Sequence, residues 1–547
     1  MRKCAVDTTA LQYAERAPRV NWSPKKDVEK RLTFVDFSSE IKPDKGGIPI
    51  ISDGKTAYVD TSDNHCVILS PSGLKKSTCG FMPASLTALF AGDPVIVHDP
   101  KGELYSRTAK LAEKEGYRKI VLDFRDFNGD GYNPLAYPAK LWKRGEVDKA
   151  VAAANDFCCV VSQRQENQHG NDIFWVDTAK SCYNGILPVM FDSYENTDCI
   201  NIQSLASYFY SGNIQHLEKF VNNCKASNTA MTNLRAVLSE PEKTRASTLS
   251  VASSFIQPFL LNDKLSRMLS HSTFDIEEIA EQKIVVYLIT DDTTDVCNAV
   301  VGMFFSQLIT VLADKAFHTE GGTLQRRVNF FVDEAGSVPI PRLSKTIATC
   351  RSRNIRFFLC FQSLADLENM YPDYKGILAN CATMLFLGST EKELLDMISE
   401  RCGTTEMTFS GKTEPLISVA ELMTLKKEWY YKEAIYLNLS EGIRYVTTLP
   451  AVEKYVSFDT SEAEKFPVCV HPEVREYTFV DLMRDVSAGK AKKPFSYQVK
   501  GQQKKTGKQA ESSPATGVTG SAFRNRLSAE IDDLLEALSS TNIKEDN

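Results

Sequence analysis

Short runs of apolar residues, many of them β-branched or aromatic, recur along the chain and mostly do not alternate with polar ones. They fall at 66–70, 94–98, 119–124, 283–290, 328–333, 356–361, 383–388 and 433–438. A strand with one face in water alternates, whereas a strand covered on both faces reads as a continuous apolar run. Helical patterns separate many of the runs, at 104–114, 295–315 and 391–402 for example. The expectation is an α/β fold of three layers, with a mainly parallel central sheet and helices on both sides. Residues 46–60, with Gly, Pro and Asp-Gly signals, read as a hairpin that leads into the first core strand.

The rhythm stops at residues 151–281, where helical spacing and many Asn, Ser and Gln replace the strand runs. Trp175, Leu187, Met190 and Phe191 share one helix-like stretch there. This predicts an all-helical insertion dividing the core into 61–150 and 282–450, with 1–60 before it and an extension at 451–489 after it. Residues 490–526 predict a lysine-rich disordered linker, since 490–508 holds seven lysines and no acid and a Ser/Gly/Thr-rich run follows. A short amphipathic helix is expected at 527–540, where Leu527, Ile531, Leu534, Leu535 and Leu538 share a face. The chain has no internal repeats.

Composition excludes several classes. With 547 residues, 43% hydrophobic and 24% charged, the chain is neither collagen-like nor wholly disordered, and it can bury a large core without staples. A net charge of -6 is no polycation, so contact with nucleic acid would need a local patch or an assembled ring. The fourteen cysteines form no CxxC, which points to reduced thiols in a cytosolic protein. The N-terminal residues have no apolar signal-peptide core. The most apolar stretch, 299–313, carries Ser306, Gln307 and Thr310 and suits a helix buried against a sheet better than a membrane span.

The run at 66–70 continues into a candidate phosphate loop. Against the pattern G-x-x-x-x-G-K-[ST], residues 70–77 read S-P-S-G-L-K-K-S. Lys76 and Ser77 match the lysine for the β/γ-phosphates and the hydroxyl for Mg²⁺, with Thr78 following. Ser70 and Lys75 replace both glycines of the pattern, and Gly73 lies between them. A left-handed non-glycine residue costs about 1–3 kcal/mol. A micromolar ligand has about 8 kcal/mol to draw on, so such strain weakens binding without abolishing it. Lys75 also adds a positive charge near the phosphates. The octapeptide alone is a weak match and reads first as a Ser/Lys-rich turn between strand and helix.

The second half of the chain adds partners. Residues 328–334, VNFFVDE, are an apolar run ending in Asp333 and Glu334. In P-loop ATPases the first such acid lies near Mg²⁺ and the second orients or deprotonates the attacking water. The plainer reading is a buried strand with acids at its exposed end. Residues 356–361 run into Gln362, either a γ-phosphate contact or an ordinary surface amide. His98 reads as a strand-end residue without an evident partner.

Taken together these residues resemble the type IV secretion coupling proteins, the TraG/TraD group of conjugative DNA-transfer ATPases. The resemblance runs over about residues 46–450 and rests on motif order. It includes Pro83 in the helix after the loop, Asp99-Pro100-Lys101-Gly102-Glu103-Leu104, Val121-Leu122-Asp123, Tyr132-Asn133-Pro134-Leu135 and Phe174-Trp175. It continues through Asp333-Glu334, the A-T-x-R-S-R run at 348–353, Gln362-Ser363-Leu364 and the segment 380–388. Family members usually begin with transmembrane helices, and no such stretch stands here.

The resemblance implies a RecA-like P-loop NTPase that forms a hexamer and works with ATP and Mg²⁺. Ser70, Gly73, Lys75, Lys76, Ser77 and Thr78 would form the nucleotide loop, and Ser77 with Asp333 would hold Mg²⁺. Glu334 would be the catalytic base, and Gln362 would sense the γ-phosphate. Arg351, or else Arg353, would reach a neighbouring subunit's nucleotide; both also read as a solvated helix end. The implied partners are DNA bound without sequence preference, relaxase proteins and secretion-channel components. The implied location is the cytoplasmic side of the bacterial plasma membrane, at its inner face. The helical insertion would select substrates. The lysine-rich segment would add to the DNA grip or serve as a solvated linker, and the 527–538 face would dock on a partner or on its own body. The alternative is an adaptor of the same family that recruits cargo without hydrolysing ATP.

Overall fold

In the computed structural model the described residues are 20–39, 42–168, 173–209, 211–224, 228–291, 295–406, 413–455, 464–491 and 493–495. The amphipathic 527–540 segment and nearly all of the lysine-rich 490–526 segment lie outside them.

Three N-terminal strands, β1 (Thr33–Asp36), β2 (Ile48–Ser52) and β3 (Thr56–Asp60), form a small antiparallel sheet in the order β1-β3-β2. The β2–β3 pair is the hairpin expected at 46–60. The main sheet begins with β4 (Cys66–Leu69), β5 (Val95–Asp99), β6 (Arg118–Asp123) and β7 (Asn128–Gly129). It continues with β8 (Ile284–Ile289), β9 (Val328–Val332), β10 (Ile355–Phe361) and β11 (Thr383–Phe386). A separate pair, β12 (Thr404–Glu406) and β13 (Thr413–Pro415), precedes β14 (Tyr431–Asn438) and β15 (Ile443–Pro450). Ten strands lie in the order β15-β14-β11-β4-β10-β9-β5-β8-β6-β7. The stretch from β11 to β6 is parallel throughout. At the edges β14 and β7 run antiparallel to this stretch, and β15 pairs antiparallel with β14.

The burial expected of continuous apolar runs is present. Every residue of β4, β5, β8, β9, β10 and β11 is buried. Phe330 and Phe331 of β9 show why. Side chains alternate between faces of a strand, so these neighbours point to opposite layers. Phe330 meets Phe305 of the helix Asp295–His318 at 5.6 Å, while Phe331 meets Phe81 at 6.1 Å on the other side. Both also stack on their in-register partners in β10, Phe330 on Phe357 at 4.6 Å and Phe331 on Phe358 at 4.5 Å. A fully buried aromatic of this size contributes about 1.5–3 kcal/mol, so this ladder fixes the β9–β10 register firmly. The helix Val296–His318 is long and apolar enough to cross a membrane by length and composition, but 72% of its apolar window is buried inside the protein.

The run at 433–438 differs from its neighbours in direction. It extends from Tyr431 and pairs antiparallel with β11 and with β15, a strand the sequence reading did not pick out. In β15 polar and exposed residues interrupt the apolar ones, which is the pattern of an edge strand.

The chain divides into two compact units. The first comprises residues up to Tyr137, Asp156–Gly170 and Pro258–Glu473, and it holds all three described sheets. The second comprises Pro138–Asn155, Asn171–Gln257 and the described residues from Val474. Among the described residues the second unit is helical and contains no strand. Its helices Ile173–Ser193 and Thr229–Leu238 approach closely at Gly185, where a Cβ would stand 2.5 Å from Leu234 Cγ. The last described helix, Phe479–Ser487, belongs to this unit. Phe479 packs against Tyr208 at 5.4 Å and Phe220 at 5.7 Å, and Tyr477 meets Tyr194 edge-on at 4.8 Å.

Candidate nucleotide site

Sheet order brings the candidate residues together. In the sheet β10 lies between β4 and β9, so the loop after β4, the acids after β9 and the glutamine after β10 emerge side by side at the carboxyl ends of parallel strands. Adjacent strands are about 4.8 Å apart, which puts the β4 and β9 termini within about 10 Å. Crevices at such ends are where open α/β sheets bind ligands.

Lys76 spans that gap. Its Nζ lies 3.2 Å from Asp333 Oδ1 and 3.4 Å from Glu334 Oε1. Ser77 Oγ donates to Asp333 Oδ2 at 3.2 Å, and Gln362 Nε2 donates to Glu334 Oε1 at 3.0 Å. Lys76 and Asp333 are buried and Glu334 is partly so. Burial opposes the Lys76 charge, yet its surroundings raise the ammonium above its ordinary value. Nearby Cys360 is pushed far up by burial and stays a neutral thiol, so the two carboxylates supply that field.

The loop geometry separates the two missing glycines. Ser70 is buried with its N–H bonded to the Phe361 carbonyl, and its φ is not positive. Glycine's freedom is therefore not needed there. Lys75 has φ 67° and ψ 26°, the left-handed conformation that favours glycine. Gly73, with φ 82°, has open space where a Cβ would be. The strain foreseen for two residues falls on one. The Lys75 ammonium turns away from the loop and donates to the Trp429 carbonyl, while Lys427 Nζ donates to the Gly73 carbonyl at 2.7 Å. After Lys75 the chain enters a wide i→i+5 turn over Lys76–Phe81 before the helix Met82–Ala91. Such turns occur frequently at functional sites.

A cleft of about 590 Å³ opens over this loop, lined by residues 72–73, 75–78, Lys101, Glu103 and 427–429. Four lysines against two glutamates give it a positive balance suited to a polyanion. Mg²⁺ fits the oxygen set. Two ligands at right angles on an octahedral Mg²⁺, each 2.0–2.1 Å away, stand about 2.9 Å apart. Ser77 Oγ and Asp333 Oδ2 are already at 3.2 Å.

Residues outside the expected set support this arrangement. His98 does have partners. Its Nδ1–H donates to the Asp333 carbonyl at 2.5 Å, and Nε2 accepts from Thr290 Oγ1 at 3.1 Å. Burial drives its pKa down to about 4, so the ring is neutral and positions the Asp333 backbone. Glu334 takes the left-handed conformation, with φ 58°. This turns its side chain back toward Lys76 and Gln362. Lys101, Lys427 and Trp429 line the cleft with no motif signal that would have found them, except that Lys101 sits in the DPKGEL run. Arg351 and Arg353 are not brought to the site of their own chain. They form the short turn Arg351–Arg353 just before β10, at the opposite end of that strand from Gln362. Seven residues of strand put about 20 Å between the two ends.

The model of the type IV secretory system conjugative DNA transfer family matches residues 21–435. The chain belongs to this family.

Among solved structures, the chain is similar to the bacterial conjugative coupling protein TrwBdeltaN70 in complex with sulphate. Identity is 14%, the TM-score 0.52, and the match covers 84% of this chain and 99% of that one. TrwB with the non-hydrolysable GTP analogue GDPNP matches at 14% identity and TM-score 0.52, over 83% and 99%. TrwB with ADP and Mg²⁺ matches at 14% and 0.50, over 83% and 97%. At this identity the likeness establishes the fold, a RecA-like P-loop NTPase core. No curated protein matches the chain.

Proposed function

We propose that this conjugative DNA transfer protein is a coupling ATPase that binds ATP with Mg²⁺ and uses its hydrolysis to deliver relaxase–DNA or protein substrate to a type IV secretion channel. The observation that carries the reading is Lys76 set between Asp333 and Glu334, with Ser77 on the first acid and Gln362 on the second.

The roles follow from chemistry. Lys76 supplies a cation for the β- and γ-phosphates, beside backbone N–H groups of the loop. Ser77 and Asp333 would hold Mg²⁺, which when bound neutralises charge developing on the phosphoryl oxygens. Glu334 orients the attacking water and accepts its proton, and Gln362 fixes the Glu334 carboxylate. Ser70 closes the start of the loop, Gly73 supplies its turn, and Thr78 faces the cleft. Arg351, distant from its own chain's site and exposed, would serve a neighbouring subunit in a hexameric ring. DNA would be held through phosphates, so binding should fall steeply with salt.

A second reading has one observation in its favour. Lys75 is strained and its ammonium is committed to the Trp429 carbonyl, which favours a weak-binding receptor that recruits cargo without turnover. One experiment separates the two: ATP·Mg²⁺ binding and DNA-stimulated phosphate release by wild type, Lys76→Ala and Glu334→Gln. The motor reading expects turnover by wild type, loss of binding in Lys76→Ala, and retained binding without turnover in Glu334→Gln. Robust hydrolysis by either variant would refute the site assignment.

A further inference from the structure

We infer that Trp429 is the platform on which the purine of a nucleoside triphosphate stacks. The inference deepens the nucleotide reading above and rests on it.

The phosphate end of the cleft is supplied by the loop and Lys76. A nucleoside triphosphate also brings a flat aromatic base, and stacking such a base takes an exposed aromatic face. Trp429 lines this same cleft and is 81% exposed. A single exposed aromatic would need no explanation on its own. Here, however, the backbone that carries the indole is tied down on several sides.

It sits at the tip of a tight hairpin leading into β14. Glu428 N–H bonds the Tyr431 carbonyl at 2.9 Å, Glu433 N–H bonds the Lys426 carbonyl at 2.9 Å, and Lys427 bridges to Lys432. Buried Lys432 donates to the Leu425 carbonyl at 3.0 Å, anchoring the base of the hairpin from inside. Tyr430 lies under Lys454 Nζ at 4.4 Å and stands edge-on to the Trp429 indole at 6.4 Å.

The hairpin is also tied to the phosphate loop itself. Lys75 Nζ donates to the Trp429 carbonyl, and Lys427 Nζ donates to the Gly73 carbonyl. These two bonds cross in opposite directions between the same two segments. They fix the backbone at residue 429 beside the phosphate-binding turn, so a base and its triphosphate can engage both ends of one cleft. Lys75, at a position where the loop pattern has glycine, thereby acquires a purpose: its side chain holds the base platform rather than a phosphate. Because both bonds to residue 429 and Gly73 use main-chain carbonyls, changing the indole leaves the tie intact.

The test uses the full chain and calorimetric titration with three probes: ATP, CTP and inorganic tripolyphosphate, each with Mg²⁺. In Trp429→Ala, ATP should bind roughly tenfold or more weakly, the scale of losing one base–aromatic stack, with tripolyphosphate unchanged. Trp429→Tyr should restore most of the ATP affinity, and CTP, with its smaller ring, should lose less than ATP. Equal ATP binding by wild type and Trp429→Ala, with binding lost in Lys76→Ala, overturns the platform and leaves the nucleotide site standing. An equal loss of ATP and tripolyphosphate in Trp429→Ala also overturns it, since the indole would then act on the loop and not on the base. If wild type binds neither ATP nor tripolyphosphate, the nucleotide reading and the platform fall together.

Discussion

Lys76 Nζ reaches Glu334 Oε1 at 3.4 Å across 258 positions of sequence, and the same ammonium lies 3.2 Å from Asp333 Oδ1. One buried cation therefore holds two carboxylates that would otherwise repel each other at the end of β9. Under the proposed function a triphosphate would compete for the lysine, and a divalent cation would compete for the acids.

Removing that cation should cost stability as well as binding. Breaking one partner out of a buried ion pair typically costs about 3–5 kcal/mol; with Glu334 partly exposed, the lower end is expected for Lys76→Ala. Chemical denaturation of Lys76→Ala and of Lys76→Ala/Asp333→Asn measures it. The double variant should recover part of the loss. An unchanged midpoint for Lys76→Ala would show that the pair contributes nothing to the fold.

Lys75→Gly should stabilise the loop. A left-handed L-residue costs roughly 1–2 kcal/mol that glycine avoids, and Lys75 sits at φ 67°. Lys75→Ala keeps the strain while deleting the ammonium, so it isolates the contribution of the bond to the Trp429 carbonyl. The expected order in thermal melting is glycine above wild type, with alanine lowest. Alanine at or above glycine would contradict the assigned backbone conformation.

Gln362→Ala should lower turnover by about 10²-fold, at the low end for a group that assists proton transfer, with little change in ATP affinity. Its Nε2 bonds Glu334 and not the loop. Single-turnover phosphate release against equilibrium binding separates the two effects. A loss confined to binding would place Gln362 elsewhere in the mechanism.

Two adjacent residues of β5 should pull stability in opposite directions with pH. Burial raises the Asp99 carboxyl to about 7 from 3.8, with Asp333 and Glu103 adding to the shift. The native state then binds the extra proton, so this contribution is lost as pH rises from about 4 to 7. Burial lowers His98 to about 4 from 6.5, so its contribution is gained as pH rises from about 4 to 6.5. Asp99→Asn should leave a steeper rise of stability with pH over that window, measured by urea unfolding at several pH values. An unchanged or flatter profile would mean that Asp99 is ionised in the native protein.

Gly302→Ala should destabilise by about 1–3 kcal/mol despite alanine's better helix propensity. A Cβ there would stand 2.4 Å from the Pro339 carbonyl oxygen. Gly302 lies in the helix Asp295–His318, and Pro339 follows the turn that carries Glu334. A neutral or stabilising result in thermal melting would show that this backbone has room to shift.

Much of this protein was readable from its sequence because the relevant signals are local or periodic. Continuous apolar runs dictate strands covered on both faces, since an amphipathic strand would have to alternate; Phe330 and Phe331 meet opposite layers for that reason. The residues at 76, 77, 333, 334 and 362 each have an ordinary reading alone, and only their order and spacing along the chain pointed toward phosphate chemistry. Strand direction at the edge was not readable. The 433–438 run looks like the central ones, and only its pairing with β11 and β15 makes it antiparallel.

The sequence by itself determined the layers, the loop and the chemical groups. Tertiary structure decided which groups meet. Placing β10 between β4 and β9 turns two distant segments into one site, while it leaves Arg351 at the far end of the same strand. It also decided that the glycine position at 70 is unstrained, that the one at 75 is strained, and that an exposed indole stands over the loop. The physical reason is the same in each case. Periodicity and the burial it implies follow from neighbours along the backbone, but strand direction and contact across the sheet follow from strand order, and strand order is set by packing free energy summed over the whole core.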